Sequence, residues 1–324
     1  MYKIPTILTP DEIIDKAFKR ANKVQVVVKD KSWRQKKIAM AKVRMAANTI
    51  SSTLKRYVKS FPSFDAIPTF YYELFDVTVG IDAMRKSLGA MDWCRKTVKD
   101  IAEEAVGNIS RSKSMEYIKQ QRAAAYGRFS SVLRQISDDL AFLAEARQNL
   151  RHTPTIDAEK PTIVIAGAPN VGKSLLVRKI SSGKPKIASY PFTTKGISVG
   201  HFDSDGIPFQ VIDTPGLLDR EMEKRNEMEL KAILALRHLA NVIVFVIDPS
   251  EYCGYTMDSQ LRILSDIRSR FSDIPMIEVE NKMDMMRLDS PRLKISALGG
   301  EGLKKLKEVI LANLGDRANP SYQI

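Results

Sequence analysis

Residues 167–174, GAPNVGKS, have the pattern G-x-x-x-x-G-K-S/T that binds the phosphates of a nucleotide. Gly167 and Gly172 allow backbone conformations that turn successive N–H groups inward, and the helix predicted after them adds the positive end of its dipole. Lys173 is expected to reach the β- and γ-phosphates, and the Ser174 hydroxyl is expected to bind Mg2+. The other candidate contacts of this loop are Pro169, Asn170, Val171 and Leu175.

Two further segments predict contacts with the metal and the terminal phosphate. In the segment DTPG, Asp213 is expected to hold Mg2+ through water, and the Gly216 N–H is expected to meet the γ-phosphate. In YPFTT, residues 190–194, a threonine hydroxyl could complete the Mg2+ ligands, with Thr194 preferred and Thr193 the alternative. The predicted catalytic residues are Lys173, Thr194 and Gly216, and the predicted metal ligands are Ser174, Thr194 and Asp213.

The segment NKMD, which follows a predicted strand, indicates recognition of guanine. The Asp284 carboxylate can accept hydrogen bonds from the ring N–H and the exocyclic amine of guanine, a pair of donors that adenine lacks on that edge. Asn281 and Lys282 are expected to brace the loop and the base. In the later segment KISAL, the backbone of Ser296 and Ala297 could contact the guanine carbonyl. The predicted base contacts are Asn281, Lys282, Asp284, Ser296, Ala297 and Leu298.

The elements that must position these loops are short apolar runs alternating with helical stretches. The runs predicted as strands are PTIVIAG (161–167), PFQVIDT (208–214), NVIVFVID (241–248) and PMIEVEN (275–281). Strands that alternate with helices indicate a mostly parallel sheet with helices on both faces. The phosphate loop, DTPG and NKMD each follow a strand, so we expect them to meet at one edge of that sheet.

The first half of the chain is predicted to be an all-α helical bundle. Thr9, Pro10 and Glu12 form the start signal of a first helix. A basic helix is expected from about residue 33 to 59, and one long helix is expected over residues 112–150. The predicted organisation is a basic helical N-terminal domain over residues 1–155 and an α/β domain over residues 156–324.

Basic residues concentrate near the N-terminus. The net charge is +13, and residues 16–59 contain fourteen basic side chains and one acidic one, Asp30. On a helix, this composition favours contact with the phosphates of RNA, although a charged run is also typical of a solvated face. Trp33 could stack on a base or pack in the core. The candidate phosphate contacts are Lys31, Arg34, Lys36, Lys37, Lys42, Arg44, Lys55, Arg56 and Lys59.

The composition argues against several other classes of protein. The two cysteines and three histidines are too scattered for a disulfide framework or a metal cluster. The longest apolar runs, such as residues 242–247, fall short of the roughly 20 residues that span a membrane. The N-terminus also lacks a signal-like apolar segment. We therefore expect a cytoplasmic protein without an integral membrane segment, working as a monomer.

GAPNVGKS, YPFTTKG, DTPGLLDR, NKMD and ISAL, in this order, resemble the G domain of the Obg-related translation GTPases. With a basic helical domain ahead of it, the chain resembles the nucleolar GTP-binding protein 1 family in its short archaeal-type form. The resemblance implies an α/β P-loop GTPase domain preceded by an all-α helical bundle domain, with GTP/GDP and Mg2+ as ligands. It further implies a ribosome-associated role, with the large ribosomal subunit precursor and its rRNA as partners.

Leu217 stands where many GTPases carry a glutamine that positions water. The family resembles other GTPases with a hydrophobic residue here, which implies slow intrinsic hydrolysis that an activating protein could raise. Asn170 resembles the asparagine of K+-activated GTPases, although it could simply stabilise the loop turn. Two functional alternatives remain: an RNA-anchored GTP-binding scaffold without significant turnover, and a peripheral membrane GTPase that binds anionic lipid through its basic helices.

Overall fold

The structure, a computed structural model, describes residues 3–27, 31–151, 156–188, 190–191, 193, 196–204, 206–220 and 225–314. Its helices are α1 (Pro10–Asn22), α2 (Lys31–Ser60), α3 (Thr69–Val79), α4 (Ile81–Arg111), α5 (Met115–Gln135), α6 (Ser137–Arg151), α7 (Lys173–Ile180), α8 (Glu227–Ala235), α9 (Met257–Arg270) and α10 (Leu303–Leu314). Its strands are β1 (Thr162–Ala166), β2 (Lys186–Ala188), β3 (Ile197–Ser204), β4 (Ile207–Asp213), β5 (Val242–Ile247), β6 (Met276–Glu280) and β7 (Leu293–Lys294).

The chain divides into two compact units. One comprises Met1–Ala66 and Val79–Arg151, and the other comprises Ile67–Thr78 and His152–Ile324. The first unit is helical and the second contains the sheet, so the predicted fold class is confirmed. Within the described ranges, none of the helices combines the length and the apolar composition needed to cross a bilayer.

The first unit begins as its sequence predicts. Thr9 Oγ1 accepts from Glu12 N at 3.3 Å, and Thr9 N donates to Glu12 Oε2 at 2.8 Å, which completes the predicted capping box of α1. Helix α2 packs against α1, α4 and α5. Its buried face includes Val43, Ile50 and Leu54.

The single helix predicted over residues 112–150 is wrong. The chain breaks at Ile136, where φ is −99° and ψ is 21°, and separates α5 from α6. The Ile136 N–H bonds to Leu133 O at 3.3 Å, which closes a tighter turn than an α-helix has. Because Leu133, Ile136 and Leu140 are all buried on both sides of the break, the apolar spacing continues through it and gives no sign of it.

The sheet of the second unit has the strand order β2-β3-β4-β1-β5-β6-β7. The pairs β4–β1, β1–β5, β5–β6 and β6–β7 are parallel, whereas β2–β3 and β3–β4 are antiparallel. The four predicted strands correspond to β1, β4, β5 and β6. Strands β2, β3 and β7, which lie toward the two edges of the sheet, were not predicted.

Helix α3 belongs with the second unit, whereas the sequence analysis assigned its residues to the first domain. Phe70 and Leu74 are buried in the core that contains the sheet. The Tyr71 hydroxyl donates to Ile156 O at 2.5 Å and accepts from Ile156 N at 2.9 Å. Burial of this apolar face, rather than position along the chain, therefore decides where α3 packs.

Candidate nucleotide site

Four loops of the second unit leave the sheet at the same edge. The phosphate loop follows β1, the DTPG segment begins at the last residue of β4, and the NKMD loop follows β6. A fourth loop, DPSEYCGY from Asp248 to Tyr255, follows β5. These strands are neighbours and parallel, so their carboxyl ends meet at the edge where ligands bind in open α/β sheets.

The phosphate loop requires glycine at two points. Gly167 has φ 133° and Gly172 has φ 102°, both in the region that favours glycine. A Cβ at Gly167 would lie 2.3 Å from Val246 O, and one at Gly172 would lie 2.4 Å from Asn281 Nδ2. Gly172 directly precedes α7, so the loop leads into the N-terminus of a helix, as predicted from the sequence.

The Lys173 ammonium is buried at the base of this loop. Its Nζ donates to Gly167 O and Ala168 O, both at 2.7 Å. Burial lowers the pKa of Lys173, while the charges of Asp213 and Asp219 act in the opposite direction. Lys173 lines a cavity of about 520 Å³, whose other walls are Pro169, Asn170, Gly172, Ser174, Leu175, Pro215, Gly216 and Asp219.

Ser174 and Asp213 form the pair that could hold a metal ion. Ser174 Oγ donates to Asp213 Oδ2 at 2.5 Å, and Asp213 Oδ1 is buried without a hydrogen-bond partner among the described residues. Burial raises the pKa of Asp213, whereas the Ser174 hydrogen bond and the Lys173 charge lower it. Mg2+ prefers oxygen ligands, so the Ser174 hydroxyl and the Asp213 carboxylate, with its unpaired Oδ1, fit this metal.

The predicted threonine ligand of Mg2+ remains a prediction. Thr194 lies outside the described residues. The Thr193 hydroxyl donates to Tyr190 O at 2.8 Å, within a turn. The Tyr190 side chain is buried, and its hydroxyl donates to Ala232 O in α8 at 2.7 Å. Burial raises the pKa of Tyr190, so this hydroxyl stays protonated and remains a donor.

The loop after β4 holds Gly216 against a carboxylate. The Gly216 N–H donates to Asp219 Oδ2 at 2.7 Å. Arg225, whose side chain is 1% exposed, donates to Gly216 O at 2.8 Å and to Leu217 O at 2.5 Å. Its Nη2 also lies 3.5 Å from Asp219 Oδ1. Leu217 and Leu218 are fully buried, so neither side chain lines the cavity.

Asn281 joins the phosphate loop to the base loops. Its Nδ2 donates to Val171 O at 2.8 Å, and its Oδ1 accepts from Ala297 N at 2.9 Å. Asn281 is itself buried. The Asn281 side chain therefore links its own segment, NKMD, to the phosphate loop and to KISAL, all three of which were predicted to contact nucleotide.

Lys282 is held by a buried acid that the sequence analysis missed. Lys282 Nζ donates to Asp248 Oδ2 at 2.6 Å, and Asp248 also accepts from Ser250 and from Cys253 N. Burial alone would raise the pKa of Asp248, but the hydrogen bonds from Lys282 and Ser250 dominate and lower it. The same loop contacts the phosphate loop, where Asn170 Nδ2 lies 3.5 Å from Cys253 O.

The other predicted contacts of the base differ in their exposure to solvent. Asp284, the last residue of NKMD, is exposed. Ser296 and Ala297 are buried, and Leu298 is exposed. Ser296 N donates to Glu301 O at 3.0 Å, and Ala297 N donates to Asn281. A contact of either amide with the guanine carbonyl would therefore require a hydrogen bond to be shared or exchanged.

Three residues of the site, Asp219, Arg225 and Asp248, were not predicted from the sequence. DTPGLLDR contains Asp219, but its pattern gave no reason to separate it from a surface acid. Arg225 follows in a polar stretch without periodicity. For Asp248 a signal was present, because this acid ends a fully apolar strand at the same edge of the sheet as the other loops.

The basic residues of α2 lie in the helical unit and form a separate feature. Arg34, Arg44, Lys55, Arg56 and Lys59 are exposed, and Lys37 and Lys42 are partly exposed. Lys36 donates to Ser112 O at 2.9 Å, and the Lys31 side chain lies outside the described residues. Trp33 is 47% exposed, with the ammonium groups of Lys36 and Lys37 at 5.4 and 5.5 Å from its ring, so it is not a core residue.

A phosphate loop, a metal-site aspartate and an N-K-x-D loop at one edge of a mostly parallel sheet define the P-loop GTPase class. Comparison with family models then matches residues 1–157 to the NOG1 N-terminal helical domain and residues 227–284 to nucleolar GTP-binding protein 1 (NOG1). The chain belongs to the nucleolar GTP-binding protein 1 family, as the sequence motifs predicted.

Individual relatives differ in how much of their length the chain covers. It is 41% identical over 296 residues to an uncharacterised protein of Methanocaldococcus jannaschii, covering 90% of this chain and 82% of that protein. It is 32% identical over 312 residues to nucleolar GTP-binding protein 1 of Saccharomyces cerevisiae, covering 94% of this chain but only 47% of that protein. A crystal structure of a Plasmodium falciparum nucleolar GTP-binding protein 1 aligns at 34% identity with a TM-score of 0.46, covering 52% of this chain and 93% of that one.

Proposed function

We propose that this chain binds GTP and GDP, hydrolyses GTP slowly, and acts as a ribosome-associated switch in assembly of the large ribosomal subunit. The observation that carries the nucleotide part is the meeting of Lys173, the Ser174–Asp213 pair and the NKMD loop at one edge of the sheet. The names of the relatives support the ribosomal part, since several are nucleolar GTP-binding proteins.

Each group has a distinct role in this proposal. Lys173 would turn from the loop carbonyls toward the β- and γ-phosphates, and the Gly216 amide would donate to the γ-phosphate. Ser174 and Asp213 would hold Mg2+, with Thr194 or Thr193 as a further ligand, and the metal would neutralise charge on the phosphates. Asp284 would accept from guanine, while Asn281 and Lys282 keep its loop in place.

Slow turnover follows from the absence of a polar side chain at Leu217. This residue is buried beneath the loop and cannot orient the attacking water. A missing glutamine or arginine finger lowers the rate by about 10³ to 10⁵, which an activating protein on the ribosome could restore. We also propose that K+ contributes positive charge beside Asn170. Equal hydrolysis rates in potassium and sodium buffers would contradict this.

Five basic side chains of α2 support the binding of rRNA. Arg34, Lys37, Arg44, Lys55 and Lys59 recur at helical spacing on the face opposite the buried one, and we call them the basic stripe. At 1.5 Å per residue, the stripe extends for about 38 Å. Helix α2 has no acidic residue to neutralise it, so phosphate contacts over this length would make RNA affinity fall steeply with salt.

Hydrolysis is tested by single-turnover phosphate release from purified protein with Mg2+, with and without large-subunit precursors. We expect slow release alone and faster release with the precursors, while Lys173→Ala releases none in either condition. No release by the natural protein in either condition would favour the scaffold without turnover.

RNA binding is tested by filter binding to rRNA over a salt series. We expect Arg44→Ala with Lys55→Ala to reduce the slope of log affinity against log salt by about 1 per residue. The matched control is Lys119→Ala, on an exposed position of α5 in the same unit. An unchanged slope would remove the basic stripe from the proposal, and flotation with anionic liposomes would instead support the membrane alternative. The cytoplasmic location and the monomeric state remain part of the proposal.

A further inference from the structure

Asp219 lies where its charge faces the phosphate cavity. It lines that cavity together with Lys173 and Ser174, and its charge acts to raise the pKa of Lys173. Its Oδ2 accepts from the Gly216 N–H at 2.7 Å. The amide assigned to sensing the γ-phosphate therefore donates to a carboxylate that belongs to the same loop.

We propose that Asp219 is a specificity residue that competes with the γ-phosphate of GTP for the Gly216 amide and thereby sets the preference between GTP and GDP. This inference rests on the proposed function. An N–H group has one proton, so it can make one good hydrogen bond at a time. GDP has no γ-phosphate and can bind with the Asp219 contact intact. GTP must displace the carboxylate, because two negative groups cannot share that donor.

Arg225 makes this exchange feasible without unfolding the loop. Its guanidinium holds Gly216 O and Leu217 O, neither of which takes part in the exchange. Its Nε is buried and has no acceptor among the described residues, although Nη2 already lies 3.5 Å from Asp219 Oδ1. A buried donor that lacks a partner is costly to leave unpaired, so Arg225 offers the displaced carboxylate a second position.

The competition predicts a specific change in nucleotide preference. The apparent affinity of a ligand equals its intrinsic affinity multiplied by the fraction of molecules that can bind it. If the carboxylate occupies the Gly216 amide about nine-tenths of the time, the apparent affinity for GTP is about tenfold lower than the intrinsic one. Removing the carboxylate should restore that factor for GTP and leave GDP unchanged. The amide side chain of Asp219→Asn retains an acceptor without the charge, so this variant should show a smaller gain.

Calorimetry tests this with GDP and with a non-hydrolysable GTP analogue, both with Mg2+. We expect Asp219→Ala to bind the analogue about tenfold more tightly and GDP within about twofold of the natural protein. Asp219→Asn should give about a threefold gain, and it decides the question if the alanine variant does not fold. Asp258→Asn, which removes an exposed acid at the start of α9, is the matched control and should change neither affinity.

Two results would overturn the inference. One is an unchanged ratio of GDP to analogue affinity in both Asp219 variants, and the other is weaker binding of the analogue. Either result would leave the proposed function intact, provided that the natural protein still prefers guanine over adenine nucleotides. Loss of that preference in the natural protein would instead defeat the proposed function and this inference with it.

Discussion

The phosphate half and the base half of the candidate site are held by different kinds of contact. In the phosphate half, Lys173 donates to loop carbonyls and Gly216 donates to Asp219, so groups proposed to bind nucleotide are engaged with the protein itself. In the base half, buried bonds of Asn281 and Lys282 shape the loop, while the Asp284 carboxylate stays exposed. The loop that carries Asp284 is thus held by the protein itself and leaves this carboxylate exposed, whereas Lys173 and the Gly216 amide would have to exchange contacts to meet phosphates.

The largest effect is expected for Lys173→Ala, which tests whether the phosphate half exchanges contacts when nucleotide binds. Lys173→Ala removes a buried charge that would pair with phosphates, a truncation worth several kcal/mol, so GTP affinity should fall roughly 1,000-fold. The melting temperature without nucleotide should change little, because loss of the bonds to Gly167 O and Ala168 O is offset by removal of a buried charge. Calorimetry and thermal unfolding measure the two quantities. Lys179→Ala, exposed on α7, is the control, and a large drop in melting temperature would contradict the exchange described for this half.

Replacement of Asp248, in the base half, should lower stability even without nucleotide, unlike replacement of Lys173. Asp248→Ala leaves Lys282 largely buried without its acceptor, so the free energy of unfolding should fall by about 3 kcal/mol even without nucleotide. Denaturant unfolding measures the loss, with Asp258→Ala, an exposed acid at the start of α9, as the control. If Asp248→Ala kept its stability and lost only nucleotide affinity, the Asp248–Lys282 bond would not hold the base half in place without nucleotide.

A smaller effect is expected at Asp284, which is exposed and makes no contribution to the loop that the structure records. Inosine triphosphate lacks the exocyclic amine, so the natural protein should bind it less tightly than GTP. In Asp284→Ala, the ratio of GTP affinity to inosine triphosphate affinity should fall by about tenfold. The reason is that a hydrogen bond to a charged group is worth about 1.5–3 kcal/mol. Competition with a fluorescent nucleotide measures the ratio. Intact discrimination in this variant would assign guanine recognition to other groups.

The smallest effect is the part of the pH dependence of stability that Asp248 contributes. The pKa of Asp248 is lowered from the ordinary value of 3.8, so its contribution to stability is complete above that value and is lost as the pH falls below it. Unfolding followed between pH 5 and pH 3 should show a steeper decline in the natural protein than in Asp248→Asn, because Asp92 and Glu278, whose pKa values are also lowered, titrate in both. A parallel decline in both proteins would place the titrating group elsewhere.

The sequence predicted the parts of the site that depend on short motifs. Gly167 and Gly172 adopt the positive φ that the phosphate-loop pattern requires, and the strands ending at Ala166 and Asp213 are apolar runs that the pattern identified. Both features are local, because a few neighbouring residues fix the backbone. Local patterns of this kind can be read from one chain without knowing what surrounds them.

The sequence did not predict features that depend on distant partners. Strand β3 mixes His201 and Asp203 with apolar residues and is a strand because it pairs with β4. Helix α3 joins the second unit through Phe70 and Leu74, whose apolar faces would suit either core. Asp248 ends an apolar strand, but its role as the partner of Lys282, 34 residues later, depends on the packing of β5 beside β6.

The hydrogen bond from Tyr190 to Ala232 has a mechanical consequence. It fastens the segment that contains the predicted threonine ligand to helix α8, which follows the DTPG loop in the chain. Neither segment can shift by more than a fraction of an ångström unless this bond breaks or the other segment moves as well. The Tyr190 hydroxyl thus couples the position of its own segment to that of α8, and a phenylalanine in its place would remove this coupling.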